Sequence, residues 1–244
     1  MSKKRTRCEA FDDEAYERLV GIVEFDDTYD EVEKLVATIE KAGNDIIDAR
    51  RDSLGYALLH RAVMRGKTEV VELLLRSGAN PDVAVEVTPG ADPKDRVTEI
   101  GCTALLYTTT ASMAELLLSW NANVDALDSW GETPFDRCVD FDDHEMARFF
   151  LDRSKNILAG DGHPKKFVTT GCALAMKIAK LEMDADDADD ATRASGFRDL
   201  LPDFAKRTNT DAIFADMRSY GKVHVLDQQP RVYAILVGLE TSRV

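Results

Sequence analysis

The chain has 244 residues, 44% of them hydrophobic, with 45 acids against 31 Lys and Arg and a formal net charge of −14. This composition fits a soluble globular protein rather than a disordered one. It argues against a general binder of nucleic acid or anionic membranes, which needs clustered positive charge. No run of 18 apolar residues is present to span a membrane, and no apolar stretch follows the basic start to make a secretory signal. Cys8, Cys102, Cys138 and Cys172 lie far apart without a CxxC pair, which suggests reduced thiols in a cytoplasmic protein rather than a disulfide framework or zinc site.

In chain order, residues 1–9 carry Lys3, Lys4, Arg5 and Arg7 and are expected to be a basic disordered tail. Lys4-Arg-Thr-Arg7 also fits a short nuclear-import pattern. Residues 9–48 hold fourteen acids against Arg18, Lys34 and Lys41, as expected of a solvated helix face. Three later segments align with one another. The first runs from Asp52 through Gly55, Leu59, His60 and Gly66 to Leu73-Leu-Leu75 and Gly78-Ala-Asn80. The second runs from Gly101-Cys-Thr103-Ala-Leu105 to Leu116-Leu-Leu118 and Asn121-Ala-Asn123. The third runs from Gly131-Glu-Thr133-Pro134-Phe135 to Phe149-Phe-Leu151. Thr133-Pro134 is a strong helix start. Gly66 falls where two helices need a tight turn, and Gly78 and Asn121 fall where a second helix must end in the left-handed region.

These segments resemble the ankyrin repeat family. The resemblance covers residues 10–155 and implies a mainly α fold, a helical repeat solenoid of about four degenerate repeats including an amino-terminal cap. Gly55 to Gly101 spans 46 residues against the family's 33, so an exposed inserted loop is expected over 83–99. Gly101 to Gly131 spans only 30, a loss between Thr108 and Leu116. The family's first-helix histidine occurs only as His60. Leu106 and Asp136 replace it elsewhere, so its bonds between units are expected to be lost there. Cys102 is placed at a variable surface position, and Cys138 in the core.

After Leu151 the glycine-terminated ending disappears, and Gly160-Asp-Gly-His-Pro164 marks a candidate boundary. Residues 160–244 are expected to form a small α+β region: helices over 167–183, around 197–204 with Pro202 disrupting, and over 210–218, then two short strands at 222–226 and 231–238. The acid run 184–190 is expected as a solvated loop. The alternative is that these residues are a degenerate last repeat, since Gly171-Cys-Ala-Leu174 echoes Gly101-Cys-Thr-Ala-Leu105.

No GxSxG, HExxH, GxxxxGK or GxGxxG motif is present. His60 has a packing role by its place in the repeat, and no catalytic residue, metal or cofactor is expected. The resemblance implies a non-enzymatic interaction module or scaffold, monomeric alone, that binds another protein through loop tips and the concave helix face, with the exposed edge of each first helix left free. Those places are Ser53, Leu54, Tyr56, Met64 and Arg65; Glu99 and Ile100; and Ser129, Trp130, Glu132 and Phe141. The competing expectation is an enzyme or regulator whose activity lies in residues 160–244 and is targeted by the repeats.

Overall fold

The computed structural model of the chain describes residues 54–86, 100–161, 163, 164, 166, 169–184 and 188–208, with the single positions 20, 21, 23, 47, 48 and 235. Its contacts divide the chain into two compact units, Met1–Asn123 and Val124–Val244.

In the first unit, Gly55 at φ +91° opens the loop into helix α1, Leu58–Met64. Ala57 has no capping side chain, so its N–H is met instead by His60 Nδ1 at 3.1 Å. Gly66 ends α1 at φ +68°, where the Gly66 and Lys67 N–H groups donate to the Val63 and Ala62 carbonyls at 2.9 and 3.0 Å. Helix α2, Thr68–Arg76, buries Val70, Val71, Leu74 and Leu75 on one face. It closes at Gly78, φ +95°, with the same pair of bonds, to Leu75 and Leu74. Helix α3, Ala111–Ser119, closes identically with Asn121 at φ +65°, the substitution expected for a residue that tolerates the left-handed region.

The first helix expected ahead of α3 is only a 3-10 turn, Ala104–Tyr107. Three missing residues leave no room for an α-helix and its glycine turn. Thr108 ends the 3-10 turn by donating to the Leu105 carbonyl at 2.8 Å, and Thr110 then caps α3. Val83 and Val85, the start of the span expected as an exposed loop, are buried. Val85 exchanges two 2.9 Å bonds with Gly101 and Cys102, next to an isolated antiparallel bridge between Ala84 and Thr103. This pairing also corrects the surface placement of Cys102, which is fully buried. Residues 87–99 lie outside the described residues, as does the tail 1–9. Of the amino-terminal cap, Val20, Gly21, Val23, Ile47 and Asp48 are described; all are helical, and Val23 and Ile47 are buried.

In the second unit, Thr133 and Pro134 start helix α4, Pro134–Asp140, with Thr133 Oγ1 accepting the Asp136 N–H at 3.2 Å and Asp136 Oδ2 accepting the Thr133 N–H at 2.9 Å. Asp142 at φ +61° closes α4, and Asp143 caps helix α5, His144–Arg153, by accepting the Met146 N–H at 2.9 Å. Helices α6 (Thr170–Met183), α7 (Ala188–Arg198) and α8 (Leu201–Arg207) follow. Pro202 lies in the first turn of α8, where its missing N–H costs nothing. Helix α4 packs on α5 and α6, α5 packs on α7, and α6 packs on α7. Phe135, Phe150, Phe197 and Phe204 fill the core, with Phe135 stacked on Phe204 at 5.9 Å between centroids.

Three expectations change here. The Gly160 turn cluster is packed rather than a boundary: a Cβ on Gly160 would lie 1.8 Å from the Gly131 carbonyl oxygen. Ala188, Asp189 and Asp190 form the first turn of α7 rather than a loop, and acids are favoured at that helix end. No strand occurs among the described residues, and Ile235, inside an expected strand, is helical and buried. A short apolar run fits a buried helix as well as a strand. The other residues of both expected strands, and the helix expected over 210–218, lie outside the described residues.

Candidate functional site

In the first unit, Leu54 (40% exposed) and Met64 (38%) present apolar surface, and Arg65 is exposed beside Met64. Tyr56 corrects the expectation of a free loop residue, because it is only 7% exposed. Its ring stands edge-on to His60 and Tyr107 at 6.0 and 5.9 Å, and the Arg61 guanidinium lies over it at 4.7 Å. Because His60 Nδ1 accepts a backbone N–H, the ring proton sits on Nε2, which donates to the Cys102 carbonyl at 3.1 Å. Both ring nitrogens are therefore committed to packing. Ile100 is half-buried beside Gly101. Ser53 and Glu99 lie outside the described residues.

In the second unit, Asp128 builds a rigid loop tip. Its Oδ1 accepts the Trp130 and Glu132 N–H groups at 2.8 and 2.9 Å, and its carbonyl accepts the Gly131 N–H at 3.1 Å. Gly131 is required here: φ is +81°, and a Cβ would lie 2.4 Å from that of His163. The turn leaves Ser129 half-buried and Trp130 43% exposed.

Glu132, half-buried, follows Gly131. Burial, then the carboxylates of Asp140, Asp128 and Asp136, push its carboxyl from 4.5 up to about 7, with Arg137 opposing. The folded chain therefore binds this proton more tightly than the unfolded chain, and stability is lost as pH rises from about 4.5 to about 7. Glu132→Gln removes the repelled charge. Relative to the native chain it is expected to be about 1 kcal/mol more stable near pH 8, allowing for partial exposure, and equal near pH 4. Denaturant midpoints at the two pH values check this, and an unchanged difference between them would show that the carboxylate is not repelled.

Phe141 does not join Trp130 and Glu132. It lies at the opposite end of α4, 71% exposed, with the Arg137 guanidinium 5.2 Å over its ring. An open hollow of about 350 Å³ is lined there by Phe141, Asp142, Asp143, His144, Glu145 and Arg193. Asp142 pairs with Lys177 at 2.7 Å, and the His144 ring packs edge-on against Phe197 at 6.0 Å.

Two further groups of residues were not singled out from the repeat pattern. Asp136 was expected to lose the bonds of the residue it replaces, but it forms a network instead. Its Oδ2 takes the Thr133 hydroxyl and Lys166 Nζ, both at 2.8 Å, and its Oδ1 takes the Thr170 hydroxyl at 2.7 Å. Asp161 lies 3.2 Å from Lys166 Nζ and accepts the Thr170 N–H at 2.9 Å. The side chains of Asp136 and Lys166 are each only 6% exposed. The second group is a ladder of carboxylates bonding backbone. Asp48 accepts the Asn80 N–H at 2.8 Å and Asp82 accepts that of Asn123 at 2.7 Å; in the second unit, Asp125 accepts those of Lys155 and Asn156 at 2.9 Å. Asp82 and Asp125 each stand four residues after the left-handed Gly78 or Asn121, a spacing that could have flagged them.

Among the described residues, no three His, Cys, Asp or Glu side chains gather to hold a metal, and no helix is long and apolar enough to cross a membrane. Burial, helped by Asp143, raises the Cys138 thiol and keeps it protonated. Among the described residues, the arrangement offers anchored turns and exposed apolar side chains.

Residues 54–84 match the family model of the ankyrin repeat. A protein of Fowlpox virus (strain NVSL) named as an ankyrin repeat protein, FPV014, is 31% identical over 111 residues, which are 45% of this chain. The match spans 23% of that protein's length.

Proposed function

From the ankyrin repeat that this chain carries at residues 54–84, we propose that it is a non-catalytic module that binds another protein through its loop tips and the exposed ends of its first helices. Repeats of this family generally mediate protein–protein interaction. The observation that carries the reading is Trp130, a large apolar ring held 43% exposed by a turn whose backbone Asp128 fixes. The backbone that carries the ring is already ordered, so binding has less left to fix there. Leu54 and Met64 offer similar contact area in the first unit. The non-catalytic reading is supported by His60, occupied on both nitrogens, and by Cys138, held as a thiol. The four cysteines lie far apart in the sequence without a CxxC pair, a usage that suits the cytoplasm or nucleus as the place of action.

The test is hydrogen exchange on the full-length chain, alone and bound to a protein captured from its native cell. Binding is expected to slow the amides of 54–57 and 128–133. Slowing confined to 170–208 would instead give the carboxy-terminal helices the binding role.

A further inference from the structure

Residues 157–198 carry only the faint repeat echo of Gly171-Cys-Ala-Leu174, yet the contacts of their described residues place them where a next repeat would stand. The first correspondence is at the loop glycine. A Cβ on Gly55 would lie 1.9 Å from the Glu86 carbonyl oxygen, in the chain that leads to the second repeat. At Gly131, its equivalent, a Cβ would lie 2.4 Å from that of His163, and a Cβ on Gly160 would lie 1.8 Å from the Gly131 carbonyl oxygen, both in the chain that leads to α6. The second lies five residues on, at His60 and Asp136. His60 donates to the Cys102 carbonyl, just ahead of the 3-10 turn that packs on α1. Asp136 accepts from Thr170, the first residue of α6, which packs on α4. The third is helix order: α6 lies on α4 and α7 on α5, first helix on first and second on second.

We infer that residues 157–198 are a further repeat-like layer that caps the third repeat, seated by the network of Asp136, Lys166 and Thr170 rather than by the family's histidine. This rests on reading the chain as a repeat protein and assigns these residues a covering role rather than a separate activity. A terminal layer must bury one face and wet the other. Leu174, Ile178, Leu181 and Phe197 are buried, whereas Lys180, Asp189, Thr192 and Arg198 are exposed. Gly196 lets α7 approach α5, since a Cβ there would lie 2.0 Å from the His144 ring.

Native-state hydrogen exchange on the full-length chain, without partner, tests this. A cap and the repeat beneath it open as one cooperative unit. Phe197→Ala is expected to lower amide protection by a common factor, about 100-fold or more, in α4, α5, α6 and α7 together. Gly196→Ala, a milder change at the seating contact, is expected to lower the same four helices together by a smaller factor, and it carries the comparison if Phe197→Ala fails to fold. Native protection in α4 and α5 while α6 and α7 lose theirs would make the pair an independent module and overturn the proposal. Unchanged protection throughout Gly196→Ala would overturn the seating of α7 on α5. No partner enters the measurement, so its outcome is separate from that of the binding surface.

Discussion

Asp136→Ala is expected to destabilise the chain by about 3–5 kcal/mol, the cost of stripping one member from a buried ion pair. The substitution removes the acceptor for the Thr133 N–H and for the Thr133 and Thr170 hydroxyls, and it leaves Lys166 with Asp161 at 3.2 Å as its remaining counter-charge. A buried ammonium and a helix start that has lost half its capping box add in the same direction. Asp136→His, which puts here the residue type that His60 has five positions after Gly55, is expected to cost a comparable amount, because an imidazole cannot neutralise Lys166. The double variant Asp136→Ala, Lys166→Met is expected to lie closer to the native chain than Asp136→Ala alone, since it removes both of the most buried charges and leaves Asp161 accepting from Thr170. Denaturant midpoints decide. A loss below about 1 kcal/mol for Asp136→Ala would mean that the network is not holding α6 against α4.

The same residue shows what the sequence made legible and what it did not. Turn chemistry is local, so the residue types and the apolar runs around them could place Gly66 at a tight turn, Gly78 and Asn121 in the left-handed region, and a helix start at Thr133-Pro134. The bonds that join one layer to the next are not local. Asp136 reads as a lost histidine until Lys166, thirty residues on, is brought beside it. Tyr56 reads as a loop residue until Tyr107 covers it, and Cys102 as a surface position until Val85 pairs with its backbone. The shortened spacing after Gly101 signalled a loss between Thr108 and Leu116, but not that a 3-10 turn over Ala104–Tyr107 would replace the first helix. Trp130 and Phe141, taken from the same repeat, are both exposed but emerge near opposite ends of α4, because position in a repeat does not say at which end of a helix a residue emerges.

Trp130→Ala carries the other large expected effect, on binding rather than on stability. The ring contributes contact area at a loop tip whose shape is set by Asp128 and Gly131, and the variant leaves both in place. Unfolding is therefore expected to stay near native, within about 0.5 kcal/mol, as at exposed sites generally. Affinity for the protein partner is expected to fall by about 2 kcal/mol or more, roughly 30-fold, the scale of an aromatic hot spot. The decisive measurement is the dissociation constant of the full-length chain and of Trp130→Ala for the same captured protein, with denaturant midpoints taken on both. A 30-fold weakening at unchanged midpoint is the predicted result; unchanged affinity, or a midpoint that falls along with it, would contradict a binding role for this loop tip.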